Sequence, residues 1–341
     1  MARIAYLDSF PADNAIEIIE DDGKHQLLRI DSSAATGASF KRLSIAHAYQ
    51  CVGARDEVPA ELQVGEDFLR KTPELLVLSS SGSGVDVFDV DACTRAGVLV
   101  VNQAGANAES VAEHTIAMML TVLKRIAASD RALRRGWFGQ RKEFQGRELY
   151  GRTIGIVGLG FIGTRVAQIC RHGFNCPVIA YDPYITEQQA KQRHARLVSF
   201  KNLCAEADII STHTPLTRET HRMFDATSFA AMKPDAIFIS TSRGSIHDEN
   251  ALATALENNS LYGAGIDVWE KEPPLANHRL LQFANVVTSP HVAGITSDSL
   301  EKMAEYAASQ LLALFNGEPP LRPVNPEVLD KYYERYAQIL G

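Results

Sequence analysis

Short apolar runs recur along this chain, and their internal pattern says what they form. TIGIV (153–157), PVIAY (177–181), DIIS (208–211), AIFIS (236–240), YGAGID (262–267) and NVVTS (285–289) are continuous, β-rich stretches without polar alternation. Parallel strands covered on both faces read this way. Helical stretches lie between them, for example 162–172 and 248–258. The strand–helix–strand rhythm predicts a doubly wound sheet. RIAYL (3–7), HQLLRI (25–30), ELLVLS (74–79) and GVLVV (97–101) repeat the rhythm more weakly, which predicts a second, smaller α/β domain.

Between the two sets lies SVAEHTIAMMLTVLKRI (110–126), where Ser110 and Glu113 stand in capping-box spacing. Its apolar positions cover nearly the whole circumference, so the helix is expected to be buried between domains or subunits. A last long helix over 297–316 is expected to cross back to the first domain and make it discontinuous. No internal repeat interrupts this plan.

Composition narrows the function classes. The 341 residues are 45% hydrophobic and 22% charged, ordinary for a globular chain and enough for two cores. A net charge of −7 gives no general attraction to nucleic acid or anionic lipid. The local cluster Arg131, Arg134, Arg135, Arg141 and Lys142 reads as a solvated helix end or a subunit contact. Five cysteines without C-x-x-C spacing fit inert thiols in a reducing compartment, not a disulfide framework, and no metal site is expected. The start MARIAYLDSF lacks a signal-peptide pattern, and Glu113, His114 and Lys124 interrupt the longest apolar helix. A soluble, cytoplasmic protein is the expectation.

The candidate chemistry begins at GIVGLGFIG (155–163), where Gly158, Gly160 and Gly163 lie between a strand and a helix. Such a turn lets a pyrophosphate approach the backbone and rest on the helix N-terminus. Asp182 ends the next strand about 20 residues further on, where an acid grips the adenosine ribose. Together these favour a dinucleotide, and the acid favours NAD over NADP. Three later strand ends carry further candidates. Arg243 in TSRGSIHDE can fork onto a carboxylate, where a lysine could not. GAGIDVWEKEPP (263–274) holds Asp267, Glu270 and Glu272, and TSPHVAGIT (288–296) holds His291. A carboxylate beside His291 would fix its tautomer and favour imidazolium, and Glu272 does this if its loop folds back.

In order and spacing, GLGFIG with Asp182, HTPLTRET (213–220), TSRGSIHDE, DVWEKEPP and SPHVAGIT resemble the D-2-hydroxyacid dehydrogenase family, over nearly the whole chain. The resemblance implies a Rossmann NAD-binding domain over 103–292 and a flavodoxin-like substrate domain from 1–102 with 293–341. It implies His291 as acid/base, Glu272 as its partner, and Arg243 on the substrate carboxylate and carbonyl. SGSGVD (81–86) resembles the family's substrate loop, where the amides of Ser83 and Gly84 would receive the carboxylate. NAD contacts are expected from Gly158, Gly160, Phe161, Ile162, Gly163, Asp182, Thr214, Pro215, Thr241, Asp267 and Val111.

The activity so implied is hydride transfer between NAD(H) and a small (2R)-hydroxyacid or 2-oxoacid, with a homodimer expected from helix 110–126 and the arm carrying Trp137 and Phe138. Glu272 argues against the formate-oxidising members, which carry Gln there. The serines before Gly82 depart from relatives that have Arg or a bulky apolar group. A regulatory domain such as serine-biosynthetic members often carry is not expected here. Two alternatives stay open: an NAD-sensing corepressor-like scaffold on the same fold, and a phosphonate-oxidising relative. A short-chain dehydrogenase would need Tyr-x-x-x-Lys, which does not occur. Arg55 is a candidate for a phosphate or second carboxylate, or a plain surface residue.

Overall fold

A computed structural model of the chain describes residues 1–33 and 36–341. It forms two compact units, Met1–Asn107 with Ile295–Gly341, and Ala108–Gly294. The chain therefore leaves the first unit after Asn107 and returns to it at Ile295, where the sequence pointed to 102 and 293.

The first unit is built on β1 (Arg3–Leu7), β2 (Gln26–Ile30), β3 (Ala48–Cys51), β4 (Val77–Ser80) and β5 (Leu99–Val101). All pair in parallel, in the order β2-β1-β3-β4-β5. That is the flavodoxin-like doubly wound order. Its apolar residues divide between the two faces. Ile4, Ile19, Leu76, Leu311 and Tyr332 lie in one cluster, and Leu43, Tyr49, Phe68 and Leu78 in the other. The returning helix Ser297–Phe315, capped by Thr296, packs on helix Asn14–Asp22 of the same unit.

The second unit contains β6 (Ile154–Val157), β7 (Val178–Tyr181), β8 (Arg196–Leu197), β9 (Ile209–Thr212), β10 (Ala236–Ser240), β11 (Leu261–Ile266) and β12 (Val286–Thr288). They form one parallel sheet in the order β12-β11-β10-β9-β6-β7-β8. The order reverses between β6 and β9, and ligands of such sheets bind beyond the strands' carboxyl ends at that switch point.

Two expectations about the long apolar helix need correction. It spans Ala108–Leu123, so Ser110 lies inside its first turn and caps nothing; its hydroxyl donates to the Ala293 carbonyl at 2.7 Å. Nor does its apolar circumference await a partner. The helix packs on β10, β11, β12 and helix Phe161–Gly173 of its own unit. Gly265 and Gly263 of β11 let Met118 and Val122 approach closely. Arg125, at φ 55°, breaks the run before a second helix, Ile126–Arg134.

All five cysteines are buried free thiols, and burial pushes Cys51, Cys93 and Cys170 up to about 12. Among the described residues, no helix is long and apolar enough to cross a membrane and no His, Cys, Asp and Glu group could hold a metal ion.

Candidate active site

The turn after β6 is shaped by close approaches. Gly158 has φ 87°, and a Cβ there would stand 2.8 Å from the His213 carbonyl oxygen. Only glycine meets both demands. Gly160 precedes helix Phe161–Gly173, and a Cβ there would project into open space, where a pyrophosphate must come up to the backbone. Phe161 is exposed at the head of that helix, while Ile162 packs on the core.

Asp182 directly follows β7, with Oδ2 accepting the Leu159 N–H at 2.9 Å and Oδ1 accepting the Tyr184 N–H at 3.0 Å. Two of the roughly four lone-pair positions of its carboxylate are so used, which leaves acceptors for ribose hydroxyls. The Leu159 carbonyl accepts from Arg193 at 2.6 Å, so both polar groups of this glycine-turn residue are tied by side chains. Beside the turn, Thr214 Oγ1 is shielded from solvent without a hydrogen-bond partner among the described residues. An orphaned hydroxyl, an open glycine at a helix N-terminus and an acid with spare acceptors fit a dinucleotide.

Loops after β10, β11 and β12 bring the other candidates together. After β10, Thr241 pairs with the Thr115 hydroxyl at 3.1 Å, and Arg243 follows. A Cβ on Gly244 would lie 1.9 Å from the Trp269 carbonyl carbon, so the Arg243 loop crosses directly over the loop after β11. In that second loop Glu272 turns back, and its Oε1 accepts the Trp269 N–H at 2.9 Å. His291 Nδ1 donates to Glu272 Oε2 at 2.8 Å. The hydrogen bond to Glu272 raises the imidazole above its ordinary value, with burial offsetting only part of this. Burial pushes the Glu272 carboxyl up. The hydrogen bonds from His291 and the Trp269 N–H, with the charges of His291 and Arg243, nevertheless hold it below the usual range.

Asp267, fully buried, holds the His291 loop. Its carboxylate accepts from the Ser289 hydroxyl at 2.6 Å, the Val292 N–H at 2.9 Å and the Ala293 N–H at 3.0 Å. His291 itself sits at φ 56° and donates its N–H to the Asp267 carbonyl.

Three supporting residues escaped sequence reasoning. Trp269 donates its indole N–H to the Ser289 carbonyl at 3.1 Å and sets its ring edge-on to His278, which bonds Glu249 at 2.9 Å. His114 bonds the Ser289 hydroxyl at 3.0 Å. Arg193 is the third. Trp269 stands inside the quoted DVWEKEPP, and only its position within a motif could have marked it.

Other expected contacts lie at known places. Val111 is buried in helix Ala108–Leu123, and exposed Pro215 lends its carbonyl to Thr220. In the first unit, the Ser83 carbonyl accepts from Asn102 and the Gly84 carbonyl from Ser80. The N–H groups of Ser83 and Gly84 have no acceptor among the described residues. Arg55 is exposed and donates to the Asp86 carbonyl at 2.9 Å.

Comparison with known proteins agrees with this arrangement. The family model "D-isomer specific 2-hydroxyacid dehydrogenase, NAD binding domain" matches residues 116–293. A D-3-phosphoglycerate dehydrogenase of Archaeoglobus fulgidus is 37% identical over 79% of this chain and 50% of its own length. The chain thus spans about half the length of that curated relative. A glyoxylate reductase of Thermococcus litoralis is 36% identical, over 78% of this chain and 82% of its own. Among solved structures, a D-lactate dehydrogenase of Aquifex aeolicus in complex with NAD and lactic acid superposes with TM-score 0.79 at 28% identity, covering 92% of this chain and 96% of its own. With its glycine turn, ribose acid, sheet order and three converging loops, the chain belongs to the D-isomer specific 2-hydroxyacid dehydrogenase family and carries that family's NAD-binding domain.

Proposed function

We propose that this protein transfers a hydride between NAD(H) and a small (2R)-hydroxyacid or its 2-oxoacid. The observation that carries this reading is the 2.8 Å pair of His291 and Glu272, with the Arg243 charge bearing on both. When bound, NADH supplies the hydride that reduces C2 of the oxoacid. Negative charge then develops on the carbonyl oxygen, where the Arg243 guanidinium stabilises it. Nδ1 of His291 is engaged by Glu272, which leaves Nε2 to give up the proton; a positioned acid is worth on the order of 10²–10⁴-fold. In the first unit, the N–H groups of Ser83 and Gly84, without an acceptor among the described residues, suit a carboxylate.

The relatives' names, phosphoglycerate dehydrogenase and glyoxylate reductase, guide the choice of substrates to test. Glyoxylate, hydroxypyruvate, phosphohydroxypyruvate and branched 2-oxoacids are offered with NADH or NADPH. At least one is expected to turn over, with NADH preferred because Asp182 repels a 2′-phosphate. The His291→Asn variant is expected to lose at least about a hundredfold in kcat/KM. No turnover across the panel would favour a corepressor-like scaffold instead.

A homodimer in the cytoplasm is part of the same proposal. Its support is no longer the long helix but the exposed side chains that follow it: Ile126 at 53%, Leu133 at 64% and Phe138 at 97% exposure. Exposed apolar side chains this close in sequence are what a contact surface would use. Light scattering at micromolar concentration should give twice the chain mass; a monomer mass refutes the dimer.

A further inference from the structure

The seven-stranded sheet has a concave feature at the edge opposite its glycine turn. A cavity of about 750 Å3 opens there among the residues just before β6, β7 and β8. Its wall carries Arg171, His172, Lys191, His194, Arg196 and Lys233 against one carboxylate, Glu206. Four of these side chains, Arg171, Lys191, Arg196 and Lys233, are cations at neutral pH, on a chain whose net charge is −7.

Helix macrodipoles explain part of it. Arg171 and His172 stand in the last turn of helix Phe161–Gly173, and Lys191 in the last turn of helix Glu187–Gln192, where positive charge is favoured. They do not explain why Arg196 from β8 and Lys233 from the loop before β10 converge on the same space. Internal ion pairs neutralise only part of this charge. Arg196 pairs with Glu206 at 3.0 Å and Lys233 with Asp208 at 3.0 Å, while Arg171 and Lys191 have no acidic partner among the described residues. The rings of His172 and His194 meet edge to face at 4.9 Å, and His194 takes φ 64°, a conformation side chains seldom adopt. Like charges gathered in a cleft repel one another and concentrate counter-ions from solution.

We propose that this cavity binds a small multivalent organic anion carrying phosphate or carboxylate groups. Guanidinium forks suit either group, and the volume suits a ligand of nucleotide size. The site is distinct from the catalytic loops, because the four residues of β6 set the two edges of the sheet about 13 Å apart.

The test is calorimetric titration of the NADH-saturated protein with ATP and, separately, citrate. Saturation with NADH keeps either probe from reading the glycine turn. One site per chain is expected for at least one probe, weakening as salt is raised. The stronger of the two identifies phosphate or carboxylate as the natural group. The double substitution Arg171→Glu with Lys191→Glu alters two exposed side chains and should lower affinity at least about tenfold, while NADH affinity stays unchanged. Arg171→Gln with Lys191→Gln, a milder pair, serves if charge reversal disturbs folding. Failure of both probes to bind, or binding that neither double variant weakens, overturns the proposal.

Discussion

His291 depends on one neighbour for its proton. Because Glu272 raises the imidazole, the protonated form that the proposed reduction needs persists to higher pH and is lost as pH climbs through that raised value. Glu272→Gln preserves shape and removes charge, so the reductive limb of the kcat/KM profile should shift to more acidic pH. The variant would then lose more activity at mildly alkaline than at mildly acidic pH. An unshifted limb, with a deuteride isotope effect showing that chemistry limits, would mean that Glu272 does not set the proton affinity of His291. At this scale the residue types were legible: an Arg, a Glu and a His after successive strands. Their pairing was legible only through resemblance to a family. No spacing rule says that the Glu272 loop folds back, or that Asp267 is turned inward to hold backbone N–H groups.

The three loops work as elements stacked on one another, and Gly244 is where two of them touch. A methyl group there collides with the main chain of Trp269 and Glu270, neither of which is a flexible side-chain end. Gly244→Ala must therefore displace the Arg243 loop, the Glu272 loop or both. We expect kcat/KM for the oxoacid to fall at least about a hundredfold, since a misplacement on the order of 1 Å costs that much. NADH binding, followed by fluorescence, should stay within about threefold, because the glycine turn after β6 is untouched. A variant with wild-type kcat/KM would show that the crossing is not needed for alignment. Legibility of elements followed burial. The strands β6, β7, β9, β10, β11 and β12 stood out because both faces are covered and the apolar run is unbroken. Strand β3 did not, since AYQC carries Gln50, a fully buried amide that pairs with the Ser81 hydroxyl. Two-residue β8 is too short to register.

The stability of the NAD-binding unit as a whole is tied to pH through a buried histidine that takes no part in the proposed chemistry. Burial lowers His247 to about 4 from 6.5; its ring lies 5.4 Å from that of Phe238, and neither ring nitrogen has a partner among the described residues. The folded value lies below the unfolded one, so the unfolded chain takes up the proton first as pH falls. Stability is unaffected above about 6.5, declines toward pH 4 and then levels. At about pH 4.5 the cost is roughly 2.5 kcal/mol. His247→Phe keeps the ring contact and removes the titration. It should match the wild type within about 1 kcal/mol at neutral pH and exceed it by roughly 2.5 kcal/mol at about pH 4.5, by urea denaturation. Equal losses in both proteins would assign the acid sensitivity to other groups.

The way Asp267 holds the His291 loop also bears on how freely this chain can change. Its carboxylate grips main-chain N–H groups at Val292 and Ala293, and a main-chain N–H is the same whatever side chain follows it. The position of His291 is thus stored in chain length and register, not in the identity of Val292. Half-buried Val292 can drift among apolar residues with the histidine unmoved. By contrast, inserting or deleting one residue between the end of β12 and Ala293 would offer Asp267 the wrong N–H groups and carry the imidazole away from Glu272. At Val292, variation by substitution is tolerated where variation in length around it is not.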